Sequence, residues 1–239
     1  SRAHEIVPLL QKHVQVDTLI SGNQAQIKSE FEINYQRTGL TFISGKNGDI
    51  SIWKSLKNTH PIDLIREIRS FPIKQYDLVI SDFEPVSAWA ALLNGVPCIE
   101  MSHQAAVIHP LAPKPKEHGA FGSYVLKHYT PARQKYGFHF KAYDERVFTP
   151  VIRKEMRQAK VADQGHYTVY LPGYHDDVLM HFLRQFDVKW EVFSKHANYA
   201  YRVDNVFIEP ISQVRFQQSL ISASGVLCGA GFELPSEAL

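Results

Sequence analysis

Gly225-Val226-Leu227-Cys228-Gly229-Ala230-Gly231-Phe232-Glu233-Leu234-Pro235-Ser236-Glu237-Ala238-Leu239 is the stretch on which the fold turns. Val226 to Cys228 is apolar and reads as a short buried strand. Gly229, Ala230 and Gly231 then form a turn with almost no side chain. Pro235, Ser236 and Glu237 read as the opening of a helix, with Pro235 near its first position. A strand that feeds a small-residue turn and a helix N-terminus leaves backbone N–H groups free to meet an anion.

Working outward from that stretch, the chain alternates strand and helix. Val214 to Ser222 is a helix with Phe216, Leu220 and Ile221 on its apolar side, and Val206 to Ile208 is a short strand. Lys189 to Ser194 is a strand, and His175 to Phe186 is a helix with Asp176 and Asp177 in its first turn. Tyr167 to Leu171 is the first strand of this half and ends in Pro172-Gly173-Tyr174. Alternation of this kind builds a parallel sheet with helices on its faces.

The polar stretch Lys154 to Gln164 follows a mixed segment, and the domain boundary is placed there: residues 1–152 form one domain and 153–239 a second. In the first domain Tyr76 to Asp82 reads as a strand covered on both faces. Val86, Trp89, Ala90 and Leu93 form the next helical face, which stops at Gly95. Val96 to Met101 is the following strand. Val14 to Ile20 and Phe31 to Ile43 read as further β segments, His60-Pro61 opens a helix, and Leu111 to Gly122 reads as a loop. Ser123 to Tyr136 reads as helix broken at Pro131. Ala3, Ile6, Val7 and Leu10 already lie on one helical face with no strand before them. The expectation is an α/β protein of two Rossmann-like domains with parallel sheets, truncated at both ends.

Composition narrows the function. Lys+Arg 26 against Asp+Glu 24 gives a net charge of +2, too balanced for a nucleic-acid binder. The two cysteines, Cys98 and Cys228, lie far apart in apolar runs, so two free thiols in a reducing cytoplasm are expected rather than a disulfide. No apolar run is long enough to span a bilayer. The sequence has no His-Glu-x-x-His, no Cys-x-x-Cys and no Gly-x-Ser-x-Gly, which argues against a metal site and a serine nucleophile.

The residues that could carry chemistry sit where strands end. Asp82-Phe83-Glu84 follows one strand and Ser102-His103-Gln104 the next, and the carboxyl edge of an open α/β sheet is where ligands bind. Asp82 either orients a polar ligand or base, or caps the next helix. For Glu84 the capping role is favoured. His103 is a candidate general base, because imidazole titrates near neutrality. Glu237, one turn into the terminal helix, either accepts from a ribose diol or is a first-turn glutamate favoured by the dipole.

Taken together, Cys228 to Leu239, Tyr76 to Gln104 and Tyr170 to Tyr174 resemble two-domain nucleotide-sugar glycosyltransferases of the GT-B fold. The likeness is to a bacterial and archaeal group related to the peptidoglycan N-acetylglucosaminyltransferase and the UDP-glycosyltransferases. The resemblance implies an acceptor domain followed by a donor domain. It places Gly173, Gly229, Ala230, Gly231, Phe232 and Ser236 at the diphosphate of a nucleotide sugar and Glu237 at its ribose. The strand-end positions make Asp82 and His103 the catalytic candidates, His103 as a fallback to a base the relatives carry in an earlier loop, with Glu84, Ser102 and Gln104 toward the acceptor. The resemblance implies a UDP-sugar donor, no metal or other cofactor, a cytoplasmic enzyme and room for peripheral membrane contact. Relatives carry a Gly-His loop that here would precede Ser1, and a further sugar-holding loop that would follow Leu239. The rival readings are a sugar-nucleotide epimerase of the same architecture, a non-catalytic sugar- or nucleotide-binding protein, and an inactive fragment.

Overall fold

Three alanines without side-chain bulk, Ala88, Ala90 and Ala91, let one helix lie flat on a sheet, and all three are fully buried. In the computed structural model, which describes residues 2–22, 31–39, 61–114 and 120–239, this helix is Pro85–Asn94. The described residues fall into two compact units, 2–151 and 152–239.

The first unit runs α1 (Arg2–Leu10), β1 (Leu19–Ser21), β2 (Tyr35–Arg37), α2 (Pro61–Ser70), β3 (Val79–Ser81), α3 (Pro85–Asn94), β4 (Cys98–Ser102), α4 (His103–Val107), α5 (Ala120–His128), β5 (Gln134–Phe138) and β6 (Val147–Phe148). Strands β1 and β2 form a parallel pair, and β3-β4-β5-β6 form a parallel sheet in that order. Ile68, Phe71, Ile73, Val79, Val86 and Cys98 join the three alanines in its core. Gly95 ends α3 with φ 71 and donates to the Ala91 carbonyl, the left-handed close that glycine adopts without strain.

Several sequence expectations change here. The strand expected over Tyr76 to Asp82 shortens to Val79–Ser81, and Ile80 is 40% exposed while its neighbours are buried. Among the described residues β3 is an end strand of its sheet, and its alternating burial shows that only one of its faces is covered. The Val14–Ile20 expectation reduces to Leu19–Ser21, and Phe31–Ile43 to Tyr35–Arg37, with 40–43 outside the described residues. The helix expected to continue to Tyr136 ends at His128, and the chain after Pro131 turns into β5. Alternating polar and aromatic residues there gave no clear period, and pairing with β4 decides the matter.

The second unit runs α6 (Lys154–Arg157), β7 (His166–Tyr170), α7 (Asp176–Leu183), β8 (Lys189–Ser194), β9 (Tyr201–Val203), β10 (Val206–Pro210), α8 (Gln213–Ser222), β11 (Gly225–Cys228) and α9 (Glu233–Ala238). The sheet order is β11-β7-β8-β10-β9, parallel except for the β9–β10 hairpin. Val169, Leu179, Leu183, Trp190, Val192, Val206 and Ile208 form the core, and the Trp190 indole N–H donates to the Leu183 carbonyl at 3.0 Å. From β7 the chain moves outward through β8 and β10. Helix α8 then carries it back to the other side of β7, where β11 pairs. That reversal makes the gap between β7 and β11 a topological switch point, the place where open α/β sheets bind ligands.

Both cysteines are free, Cys98 buried and Cys228 half-buried. Burial pushes the Cys98 thiol up to about 11, and the nearby Glu100 carboxylate adds to the effect. Among the described residues no helix is long and apolar enough to cross a membrane.

Candidate functional site

The carboxyl edge of the first unit is shaped by one strained residue. Phe83 has φ 56, a left-handed conformation that costs a non-glycine residue roughly 1–3 kcal/mol. It is held there from two directions. Its ring stacks on Tyr129 at 4.5 Å, and the Ser81 hydroxyl accepts from the Glu84 N–H and donates to the Glu84 carbonyl, both at 2.9 Å.

The two acidic residues beside Phe83 have separate tasks. Glu84 caps α3: its carboxylate accepts from the backbone N–H groups of Val86 and Ser87, each at 2.7 Å, and from the Ser87 hydroxyl at 2.6 Å. The Ser21 hydroxyl, at the end of β1, also donates to it at 2.6 Å. Asp82 does not cap the helix. Arg2 donates to both of its oxygens, at 2.6 and 2.8 Å, and Asp82 keeps 49% of its side chain exposed. A single guanidinium nitrogen, Nη2, serves both oxygens, and each keeps lone pairs for a ligand.

One strand over, the Ser102 hydroxyl accepts from the Ala105 N–H at 3.0 Å and donates to the buried Glu100 carboxylate at 2.7 Å. His103 is 8% exposed, and its Nδ1 lies 2.7 Å from the Phe138 carbonyl. That carbonyl can only accept, so Nδ1 carries the proton and Nε2 the lone pair of the neutral ring. The Gln104 side-chain oxygen is buried without a hydrogen-bond partner, and a ligand N–H or O–H would satisfy it.

In the second unit, Cys228 of β11 stands in register with Tyr170 of β7, so the Gly229–Gly231 turn and the loop carrying Gly173 leave the sheet side by side at the switch point. The turn is tight, with the Gly231 N–H donating to the Gly229 carbonyl at 2.8 Å. Neither glycine has a positive φ, and a Cβ added to either would meet nothing within 4 Å. Among the described residues, neither backbone conformation nor packing demands glycine there. Helix α9 begins at Glu233, two residues before Pro235, so Pro235 is its third residue rather than its first. Proline is still tolerated, because a first-turn N–H has no helical acceptor. Ser236 donates its hydroxyl back to the Phe232 carbonyl.

Glu237 is not a free first-turn glutamate. Arg153 donates Nε to one of its oxygens at 2.5 Å and Nη2 to the other at 2.6 Å, and both side chains are largely buried. This hydrogen bonding, reinforced by the charges of Glu237, Glu155 and Glu233, outweighs burial and holds the Arg153 guanidinium still more firmly protonated. Sequence reading passed over Arg153, because nothing local links it to a residue 84 positions away. Arg2 was missed for the same reason. Among the described residues there is no group of three or more metal-ligating side chains.

Two Rossmann-like α/β units in tandem are the architecture of the GT-B glycosyltransferase class. The family model described as glycosyl transferase family 1 matches residues 1–239, and the chain belongs to that family. Among solved structures it is similar to Acinetobacter baumannii MurG, with 16% identity and a TM-score of 0.48 over 97% of this chain and 69% of that one. It is also similar to the glycosyltransferase SnogD from Streptomyces nogalater, with 11% identity and a TM-score of 0.41 over 85% of this chain and 64% of that one. No curated protein matches.

Proposed function

We propose that the chain transfers a hexose from a UDP-sugar to an acceptor hydroxyl. The observation that carries this reading is the pair of glycines, Gly229 and Gly231, with open space around them at the switch point of the second unit. Glycine costs backbone entropy, and among the described residues no close contact requires it here. Close approach of a ligand accounts for it. The diphosphate lies along Gly229, Ala230, Gly231 and Phe232, with Gly173 beside it and Ser236 nearby. Backbone N–H groups take up charge as the nucleoside diphosphate leaves.

Glu237 accepts from the ribose diol. Arg153 occupies one lone-pair direction on each oxygen and so fixes the carboxylate plane, leaving acceptor capacity for both hydroxyls. In the first unit Asp82, exposed and braced by Arg2, receives or relays the acceptor proton. His103 is the alternative base through Nε2, with its ring oriented by the Phe138 carbonyl. Glu84 and Ser102 hold the edge rigid as caps, and the Gln104 oxygen accepts from the acceptor.

The test is calorimetric titration with UDP and with 2′-deoxy-UDP. The protein is expected to prefer UDP by roughly tenfold, the scale of one hydrogen bond to a charged group. Glu237→Gln keeps the shape but removes the charge, and should shrink that preference while Arg153 contacts change equally for both ligands. An unchanged preference in the variant removes the ribose assignment. Absence of UDP binding to the parent protein removes the donor assignment.

A further inference from the structure

The first unit contains a cavity of about 530 Å³ at the carboxyl ends of β1 and β2. Gly22, just past β1, and Arg37 and Thr38, at the end of β2, line one side. Arg66, Glu67 and Ser70 of α2 line the other. The backbone opens the space: Gly22 has φ 130 and Gly39 has φ 56, and a side chain at Gly39 would come within 2.8 Å of Ser21 Cβ.

The charges in this cavity are unevenly compensated. Both oxygens of Glu67 already accept from backbone, Thr38 N–H at 2.8 Å and Gly39 N–H at 3.0 Å. Arg66 has an exposed partner in Asp63 at 2.9 Å. Arg37 differs from both. Its guanidinium lies over the rings of Phe71, at 5.6 Å, and Tyr35, at 6.0 Å. Its hydrogen bond goes to the Gln36 carbonyl at 2.9 Å, and among the described residues no carboxylate pairs with it. A guanidinium has five donors in a planar fork. Here that fork is held by aromatic faces on the wall of a cavity with most of its donors unused, an arrangement suited to a planar or tetrahedral oxyanion.

The position ties the cavity to the reaction edge. Gly22 follows Ser21, whose hydroxyl donates to Glu84 of the strained turn that presents Asp82. We propose that this cavity is the subsite for an acidic substituent of the acceptor, a phosphate ester or carboxylate, with Arg37 as its anchor and Arg66 as a second cation. The proposal rests on the transferase reading for the identity of the ligand as acceptor. The oxyanion can belong to a soluble sugar phosphate or to a lipid headgroup.

The full chain is titrated at low salt with glucose 6-phosphate and with glucose, and is floated with phosphatidylglycerol and with phosphatidylcholine vesicles. The net-anionic member of at least one pair is expected to bind, and its neutral or zwitterionic counterpart to bind far more weakly. Arg37→Gln should weaken that binding by about tenfold or more, Arg37→Lys should restore part of it, and added salt should weaken it further. Arg66 is largely exposed, so Arg66→Gln tests the site with little risk to folding and should cost a few-fold. Dependence on these arginines in the sugar arm assigns a soluble acceptor, and in the vesicle arm a lipid one. Binding in neither arm, equal binding of charged and uncharged members, or indifference to both arginines overturns the proposal. UDP titration of the same samples separates the two readings. UDP binding without an arginine-dependent anion removes the subsite alone, whereas anion binding without UDP keeps the site and removes the transferase assignment.

Discussion

Replacing Lys135 with methionine should lower the unfolding free energy by about 3–5 kcal/mol, the usual consequence of orphaning one member of a buried ion pair. Glu100 is fully buried on β4, and Lys135 stands opposite it in register on β5. The Lys135 ammonium contacts the Glu100 carboxylate and donates to the Thr130 carbonyl at 2.8 Å. Without Lys135 the carboxylate keeps one side-chain donor, the Ser102 hydroxyl, and water reaches it poorly. Urea unfolding followed by circular dichroism gives the number. The double variant Glu100→Gln/Lys135→Met should recover at least half of the loss, because no uncompensated charge then remains. If Lys135→Met alone costs less than about 1 kcal/mol, the pair behaves as a solvated surface bridge and the buried-charge account fails.

Gly137→Val should cost about 3 kcal/mol or more, at the upper end of what overpacking does. Gly137 sits in β5 directly under α4. A Cβ at this position would lie 2.5 Å from the Ala106 nitrogen and 2.6 Å from its Cα. Those are backbone atoms of a helix and cannot rotate away, as the end of a flexible side chain could. Relief requires α4 to shift by about 1 Å, taking with it His103 and Gln104 and straining the Ser102 cap. The variant should therefore show a lower thermal midpoint, and any activity should fall further than stability alone explains. Gly137→Ala should do the same to a smaller degree. A fully stable Gly137→Val would show that β5 and α4 are not packed this closely.

These two positions also show where sequence reading reached its limit. Glu100 looked like part of an apolar strand, and Lys135 fell inside a segment read as helix, so their pairing could not be anticipated. Gly137 had no turn signal around it, and its meaning is steric, set by a helix about 30 residues earlier. Gly95, by contrast, was readable as a helix stop, because the left-handed close is a local property. The capping role of Glu84 was legible on the same ground, since its carboxylate accepts from the next two backbone N–H groups. Asp82 was left between two roles, and a partner 80 residues away decided that it binds Arg2 and caps nothing.

The terminal stretch divides in the same way. Its own residues determined a strand, a side-chain-free turn and a short helix, because hydrophobic run length, glycine and proline act within a few residues. They also determined the α/β class through the alternation they share with the rest of the chain. Only the tertiary structure decided that the turn emerges beside the Gly173 loop at a switch point, since strand order depends on which side of β7 the returning strand pairs. It alone decided that Glu237 is gripped by Arg153. Such contacts join residues far apart in the chain, and their energy depends on a burial that no local pattern encodes.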